Sequence, residues 1–326
     1  MKTLTKRQVV WGVAALAATA ATPARAQTAY PGGISTIKIV IPFAPGGASD
    51  LIGRLLAESL ARRWGVSAPL EHVPGGSATV GIGRVANGPK DGSQILILSL
   101  NYVTSQFIMS QLPYDPERDL IPLVQLTRQP NLLCVRKDLS MSSVAELIGY
   151  AKANPGKLNY ASSGVGSPLH LAAELFKQMT GTDMVHVPFA GSAPAQNALV
   201  GGHVDVLFDN AAAIIGLARS NSVKALAITT PARSPLAPEF PTVAETVSGY
   251  AAGGWFGVAV SGGTPEFVQD AIQSACLDLL QDPKTRERLA NAISEPIGLR
   301  RDAFAKFLAE ERARWGSLIT SLKIRT

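Results

Sequence analysis

Cysteine, charge and aromatic residues are all scarce in this 326-residue chain. Its two cysteines, Cys134 and Cys276, are too few for a disulfide framework, and no C-x-x-C pair is present to hold zinc or run thiol redox chemistry. Cys134 sits in the strand-like run Leu132–Val135 and Cys276 in a helix-like run, so both are expected to be buried free thiols. Charged residues make up 17% of the chain and form no basic run, which argues against a nucleic-acid surface. The four histidines, His72, His170, His186 and His203, lack metal-ligand spacing, and His170 with Glu174 one helical turn on supplies too few ligands for structural zinc. There is no H-E-x-x-H, no Walker A lysine and no G-x-S-x-G elbow, and Gly81-x-Gly83 lacks the third glycine of a dinucleotide fingerprint. Neither a metal nor a cofactor is expected.

What is present is apolar. Hydrophobic residues reach 46%, with 30 Gly and 22 Pro, enough for a sizeable core and too many for a disordered chain. The formal charge of +6 is concentrated at the start: residues 1–26 carry Lys2, Lys6, Arg7 and Arg25 and no acid, which leaves +2 for the rest. That segment runs from a basic start through the apolar stretch Val9–Ala21 to Ala24-Arg25-Ala26, the order of a secretory signal cleaved before Gln27. The stretch is short for a membrane span. Lys6-Arg7 falls one residue short of a twin-arginine signal, and no cysteine follows to take a lipid. With no apolar seam at heptad spacing, a soluble, monomeric, periplasmic protein is expected.

Beyond the signal, strand-like and helical patterns alternate. Strands are expected at Thr36–Ile41, Gln94–Leu98, Leu132–Val135, Leu158–Ala161, Val185–Val187, Val204–Phe208, Lys224–Thr229 and Phe256–Val260. Leu51, Ile52, Leu55, Leu56 and Leu60 recur at helical spacing. Ser143 and Glu146 form a capping box ahead of Leu147, and Phe304, Phe307, Leu308, Trp315, Leu318 and Ile319 form a C-terminal helical stripe. Continuous apolar strands between helices predict an α/β fold with mostly parallel sheets covered on both faces. The stretch Pro231–Pro241 reads as a long surface loop.

Two strand-to-helix connections are rich in Gly and Ser. In Ile41–Asp50 (IPFAPGGASD) glycines admit close backbone approach, and Ser49 or Asp50 caps the helix that follows. In Tyr160–Pro168 (YASSGVGSP) three serines and two glycines precede a helix that starts with Ser167 as cap and Pro168 in its first turn. Unpaired N–H groups at the positive end of a helix dipole suit a carboxylate or phosphate. Val73–Gly81 (VPGGSATVG) repeats the pattern. A tight capped turn without a ligand would read the same way at any one of them.

The segments Ile41–Asp50 (IPFAPGGASD), Leu112–Asp115 (LPYD), Lys157–Ser162 (KLNYAS), Val185–Ala195 (VHVPFAGSAPA), Gly202–Asn210 (GHVDVLFDN), Ala225–Thr230 (ALAITT) and Pro241–Glu245 (PTVAE) occur in this order behind the signal. In this the chain resembles the Bug-type, TctC-like extracytoplasmic solute receptors of tripartite tricarboxylate transporters. The resemblance implies a two-lobed periplasmic-binding-protein fold (a type II Venus flytrap). Its cleft would hold a small carboxylate by backbone amides, hydroxyls and water, and membrane transporter subunits would be transient partners. It puts Ala44, Gly46, Gly47, Ser49, Asp50 and Thr79 in loops of the first lobe. Ser162, Ser163, Gly164, Ser167 and His170 form one wall of the second, and Phe189, Ala190 and Asp209 lie near the far end of the ligand, with Trp255 close by. Many relatives carry lysine or another polar residue where Ala190 stands, and Asn where Thr79 stands. Asp209 also fits a strand-end cap, Trp255 core packing and His170 a helix-packing hydrogen bond.

The expected lobes are residues 27–127 plus 229–326 and residues 128–228, joined by crossings that allow hinge closure. One ligand carboxylate is expected between the loops Phe43–Asp50 and Ser162–Ser167. A ligand sensor for a membrane signalling partner is a rival reading. An α/β enzyme acting on a small organic acid is another, but it would need a nucleophile–base pair or two differently tuned carboxylates, and the cleft residues are mainly Gly, Ser and Thr.

Overall fold

The computed structural model describes residues 29–325, so the expected export signal lies outside the described residues. The chain forms β1 (Lys38–Ile41), α1 (Ala48–Trp64), β2 (Leu70–His72), α2 (Thr79–Ala86), β3 (Gln94–Ser99), α3 (Asn101–Ile108) and β4 (Leu120–Arg136). It continues through α4 (Val144–Ala153), β5 (Asn159–Ser162), α5 (Pro168–Thr180), β6 (Val185–Pro188), α6 (Ser192–Val200), β7 (Val206–Asn210), α7 (Ala211–Arg219) and β8 (Val223–Ile228). Then follow β9 (Gly253–Ser261), α8 (Glu266–Leu279), α9 (Pro283–Asn291), β10 (Glu295–Arg300) and α10 (Arg301–Ser321).

The strands run in the order β2-β1-β3-β9-β4-β7-β5-β6, with β10 and β8 also paired to β4. β4 belongs to two sheets: Leu120–Pro130 pair with β9, and Asn131–Arg136 pair with β7 and β8. The outer strands β2-β1-β3 and β7-β5-β6 pair in parallel, whereas every pairing of β4 and that of β3 with β9 is antiparallel. The sheets are therefore mixed where parallel pairing was expected to dominate. Strands that carry the chain between sheets run against their neighbours, and only strands returned by a helical crossover stay parallel.

Period-two side-chain alternation builds the cores. In the first sheet Ile39, Ile41, Ile95 and Ile97 pack on Leu56 and Leu60 of α1 and Ile272 of α8. Val40, Leu96 and Leu98 face the other way, onto Ile82 of α2, Val103 of α3 and Phe304 and Trp315 of α10. In the second sheet Tyr160, Val206 and Phe208 meet Leu147 and Phe176, while Ala161 and Leu207 meet Leu199 and Ile214. Helices on both faces explain the near-continuous apolar strands. Ser143 caps α4 by accepting the Glu146 N–H, and the Glu146 carboxylate reaches Ser142 rather than closing the box on Ser143.

All eight expected strands are present. β4 is far longer than the expected Leu132–Val135, because its first part alternates Gln125, Thr127, Gln129 and Asn131, polar residues that are nonetheless fully buried. β2 and β10, half-buried and short of apolar residues, carried no strand signal. After β8 the chain stays with the second sheet: Val243, Val247, Tyr250 and Ala252 join its core, and the Tyr250 hydroxyl donates to Ala172 O at 2.8 Å. The return to the first sheet comes at Gly253.

Cys134 and Cys276 are unpaired and fully buried, and burial pushes both thiols up, Cys276 to about 12. Since the thiolate is the reactive form, a thiol reagent at neutral pH is expected to find no sulfhydryl in the folded protein and both after denaturation. Rapid labelling of either in the folded protein would contradict this packing.

Candidate functional site

Between the two sheets lies a cavity of about 30 Å3. Phe43, Ala44, Gly47 and Ser49 wall it from the first sheet's side, and Ser163, Pro168, Ser192 and Asn210 from the second, with Trp255 of β9 between them. Four helices begin there: α1 at Ala48, α5 at Pro168, α6 at Ser192 and α7 directly after Asn210. Each helix start leaves N–H groups without an internal partner and carries the positive end of a dipole. No side chain caps α1, α6 or α7, so their first amides remain open to a guest. Among the described residues the hydroxyls of Ser49 and Ser163 and the Asn210 side chain take part in no hydrogen bond within the protein. No lysine or arginine stands on the wall.

The two sides meet closely. The Ala44 N–H donates to Ala190 O at 3.3 Å, and the Thr104 hydroxyl donates to Gly166 O at 2.8 Å. Glycine makes the approach possible: at Gly191 (φ +151°) a Cβ would stand 3.3 Å from Ala44 N, and at Gly46 (φ +93°) 3.1 Å from the Ala193 Cβ.

Of the residues picked out in the sequence, Ala44, Gly47, Ser49 and Ser163 stand on the cavity wall. Others shape the loops behind it. Asp50 accepts the Gly46 N–H at 2.7 Å and lies 3.5 Å from His72 Nε2, which holds the first loop in its turn. Ser162 is fully buried, with its hydroxyl 2.6 Å from His186 Nε2 and accepting the Gly164 N–H. Ser167 caps α5 by accepting the His170 N–H, and His170 Nδ1 in turn accepts the Gly166 N–H at 3.0 Å. The Phe189 N–H donates to Ser162 O, and its ring packs on the core shared by α6 and α7. Asp209 lies fully buried beneath Ser192. Thr79 is off the wall, its hydroxyl donating to Gly76 O within its own turn. Trp255 does both things asked of it: it stands on the wall and packs edge-on against Phe304 and Phe307.

Sequence reasoning missed Ser192, Asn210 and His186. The signal for Ser192 was available, since Phe189–Ala195 (FAGSAPA) again places Gly and Ser at a helix start. His170 and His186 stack at 4.0 Å, with Tyr160 4.8 Å from His186. Burial, together with the neighbouring His186 and Lys177, holds His170 neutral down to about 3, and burial holds His186 neutral down to about 4. Ser162 and His186 make a nucleophile–base distance, but the hydroxyl is sealed from the cavity and already engaged by the loop, so the pair stiffens the wall. A larger groove of about 770 Å3 adjoins the cavity, sharing Gly254 and Trp255 and running on along Gln129, Thr230, Pro235 and Phe307, and none of the residues at the four helix starts lines the groove.

A two-sheet α/β molecule whose crossing strands close a cavity ringed by helix N-termini is a periplasmic-binding-protein architecture. The family of tripartite tricarboxylate transporter receptors (TctC) matches residues 52–324, and the chain belongs to it. Three solved structures are similar. Rpa4515 of R. palustris with adipate has a TM-score of 0.85 at 34% identity, covering 87% of this chain and 96% of that one. The periplasmic binding protein BugD has a TM-score of 0.85 at 28% identity, covering 89% and 99%. MatC of Rhodopseudomonas palustris with bound malate has a TM-score of 0.82 at 30% identity, covering 87% and 98%. The fold is that of the two-lobed solute receptors, and the family binds solutes rather than transforming them.

Proposed function

We propose that this chain, exported with residues 1–26 as its signal, works in the periplasm as a monomer. There it captures a small carboxylate, transforms nothing, and hands its cargo to the membrane subunits of a tripartite transporter. The observation that carries this is the convergence of four helix N-termini, from both sides of the cleft, on one cavity without a basic side chain. An anion there satisfies amides on both lobes at once, each helix terminus favouring it by about 0.3–1 kcal/mol and more when partly buried. The liganded closed form is thereby stabilised over the open one, which lets a transporter distinguish a loaded receptor. Adipate and malate, held by the two relatives, define the size of acid to try first.

We take the first lobe to be built on the chain up to residue 127 and from residue 253 onward, and the second on 128–228, with 229–252, expected in the first lobe, packing on the second. The crossing strand β4 favours such a hinge. Along it Gln125, Thr127, Gln129 and Asn131 are buried with side-chain atoms that find no partner, a strained arrangement that a change of lobe angle can relieve. A cavity of about 30 Å3 holds only one or two waters, so an acid of four to six carbons must enter with the lobes apart.

Gly47 provides the test. A Cβ there would stand 3.5 Å from the Ser192 Cβ, so a longer side chain occupies the space an anion needs. Gly47→Leu is expected to weaken binding of the best carboxylate at least 100-fold, followed by calorimetry or by the fluorescence of Trp255, while the protein still melts cooperatively. Unchanged affinity in the folded variant would show that the anion binds elsewhere.

A further inference from the structure

The far side of the cavity holds a carboxylate that no cation neutralises. Asp209, at the end of β7, is fully buried, and among the described residues it forms no ion pair. Its oxygens accept from the Ser192 hydroxyl at 2.7 and 2.6 Å, from Gln196 Nε2 at 2.6 Å and from the Asn210 N–H at 2.8 Å. Burial raises its pKa to about 6, with those three donors pulling the other way, so it is ionised at neutral pH.

The proton bookkeeping at Ser192 then follows. An ionised carboxylate only accepts, so the single Ser192 proton points at Asp209. The two Gln196 N–H groups go to Asp209 and, at 2.9 Å, to the Ser192 oxygen. Ser192 has thus given away its proton and filled one lone pair, which leaves one acceptor site on a residue that lines the cavity. Beside it, the first amides of α6 are donors. A carboxylate and a donor placed side by side match this pairing, and a bare carboxylate leaves half of it unanswered.

We propose that Ser192, oriented by Asp209, is a specificity residue that makes the cleft select a carboxylate bearing a hydroxyl or ammonium next to a carboxyl group over the same acid without it. The inference rests on the receptor reading above and names the solute class within it. The buried negative charge behind Ser192 favours the ammonium-bearing acid further, since it is the nearest compensation that charge can find.

Calorimetry at pH 7.5 with two matched series tests it: succinate, malate and aspartate, then glutarate, 2-hydroxyglutarate and glutamate. At least one series is expected to show about tenfold tighter binding of the hydroxy acid than of its parent, with the amino acid equal or tighter. Ser192→Ala is expected to bring that ratio close to one, whatever it does to the affinity for the parent acid itself. Asp209→Asn presents an amide N–H to Ser192, swings its proton towards the cavity and is expected to erase the ratio by another route, so the test survives if either variant folds poorly. Parent acids binding as well as their derivatives, or an unchanged ratio in folded Ser192→Ala, would overturn the inference alone. If no acid of either series bound, nor any other carboxylate, the receptor reading would fall and this inference with it.

Discussion

Replacing Glu311 by alanine is expected to lower the unfolding free energy by about 4 kcal/mol, roughly half the stability of an ordinary domain. Glu311, on α10, is nine-tenths buried, and its Oε2 accepts from the indole N–H of both Trp255 and Trp315 at 3.0 Å. Removing the carboxylate strands two buried donors at about 1–3 kcal/mol each and leaves a void among large rings. Glu311→Gln keeps a carbonyl oxygen in reach and is expected to cost only about 1–2 kcal/mol. Urea unfolding followed by tryptophan fluorescence measures both. Because Trp255 also walls the cavity, the alanine variant should bind its solute more weakly as well. A loss under 1 kcal/mol for the alanine variant would show that the indoles do not depend on this anchor.

Acidification from pH 7 to pH 5 is expected to cost about 2 kcal/mol of stability. His170 and His186 titrate near 6.5 when unfolded, but only near 3 and 4 in the folded protein. A depressed folded pKa gives stability that is complete above pH 6.5 and is lost as pH falls towards the folded value. At pH 5, about 1.5 pH units below its unfolded pKa, protonation of His170 favours the unfolded state by about 2 kcal/mol, and that of the partly exposed His186 by less. Asp209 opposes them. Its folded pKa is raised to about 6, so its contribution is greatest at low pH and is lost as pH rises, returning about 1 kcal/mol over the same interval. His170→Gln, whose amide oxygen can still accept the Gly166 N–H, should flatten the loss. Urea midpoints of both proteins at pH 7 and pH 5 decide it; a wild-type protein that gains stability at pH 5 would mean that Asp209 outweighs the histidines.

Both expectations depend on contacts that no local pattern announces. Trp255 and Trp315 lie on β9 and α10 and share one oxygen only because the first sheet is covered by the C-terminal helix. His170 and His186 stack because β5 and β6 are parallel neighbours and α5 lies against them.

The local chemistry of this protein was set by its sequence alone. Apolar runs of strand length, the Ser167 cap with Pro168 behind it, and the glycine-rich turns before α1 and α5 are each decided within a turn or two of chain, by sterics, capping and burial of one face. Their composition, with small residues and hydroxyls and few charges, was enough to point to an anion. The tertiary structure alone decided which of these turns form one wall. Val73–Gly81 has the right composition, yet α2 begins away from the cavity, while α6 and α7 arrive there because β4 carries the chain into a second sheet whose helices point back at the first. It also decided the direction of a single proton: Asp209 follows Ser192 by 17 residues, and only the packing of α6 over β7 makes that hydroxyl an acceptor instead of a donor. Hydrogen-bond polarity belongs to a pair of groups, and the fold chooses the pair.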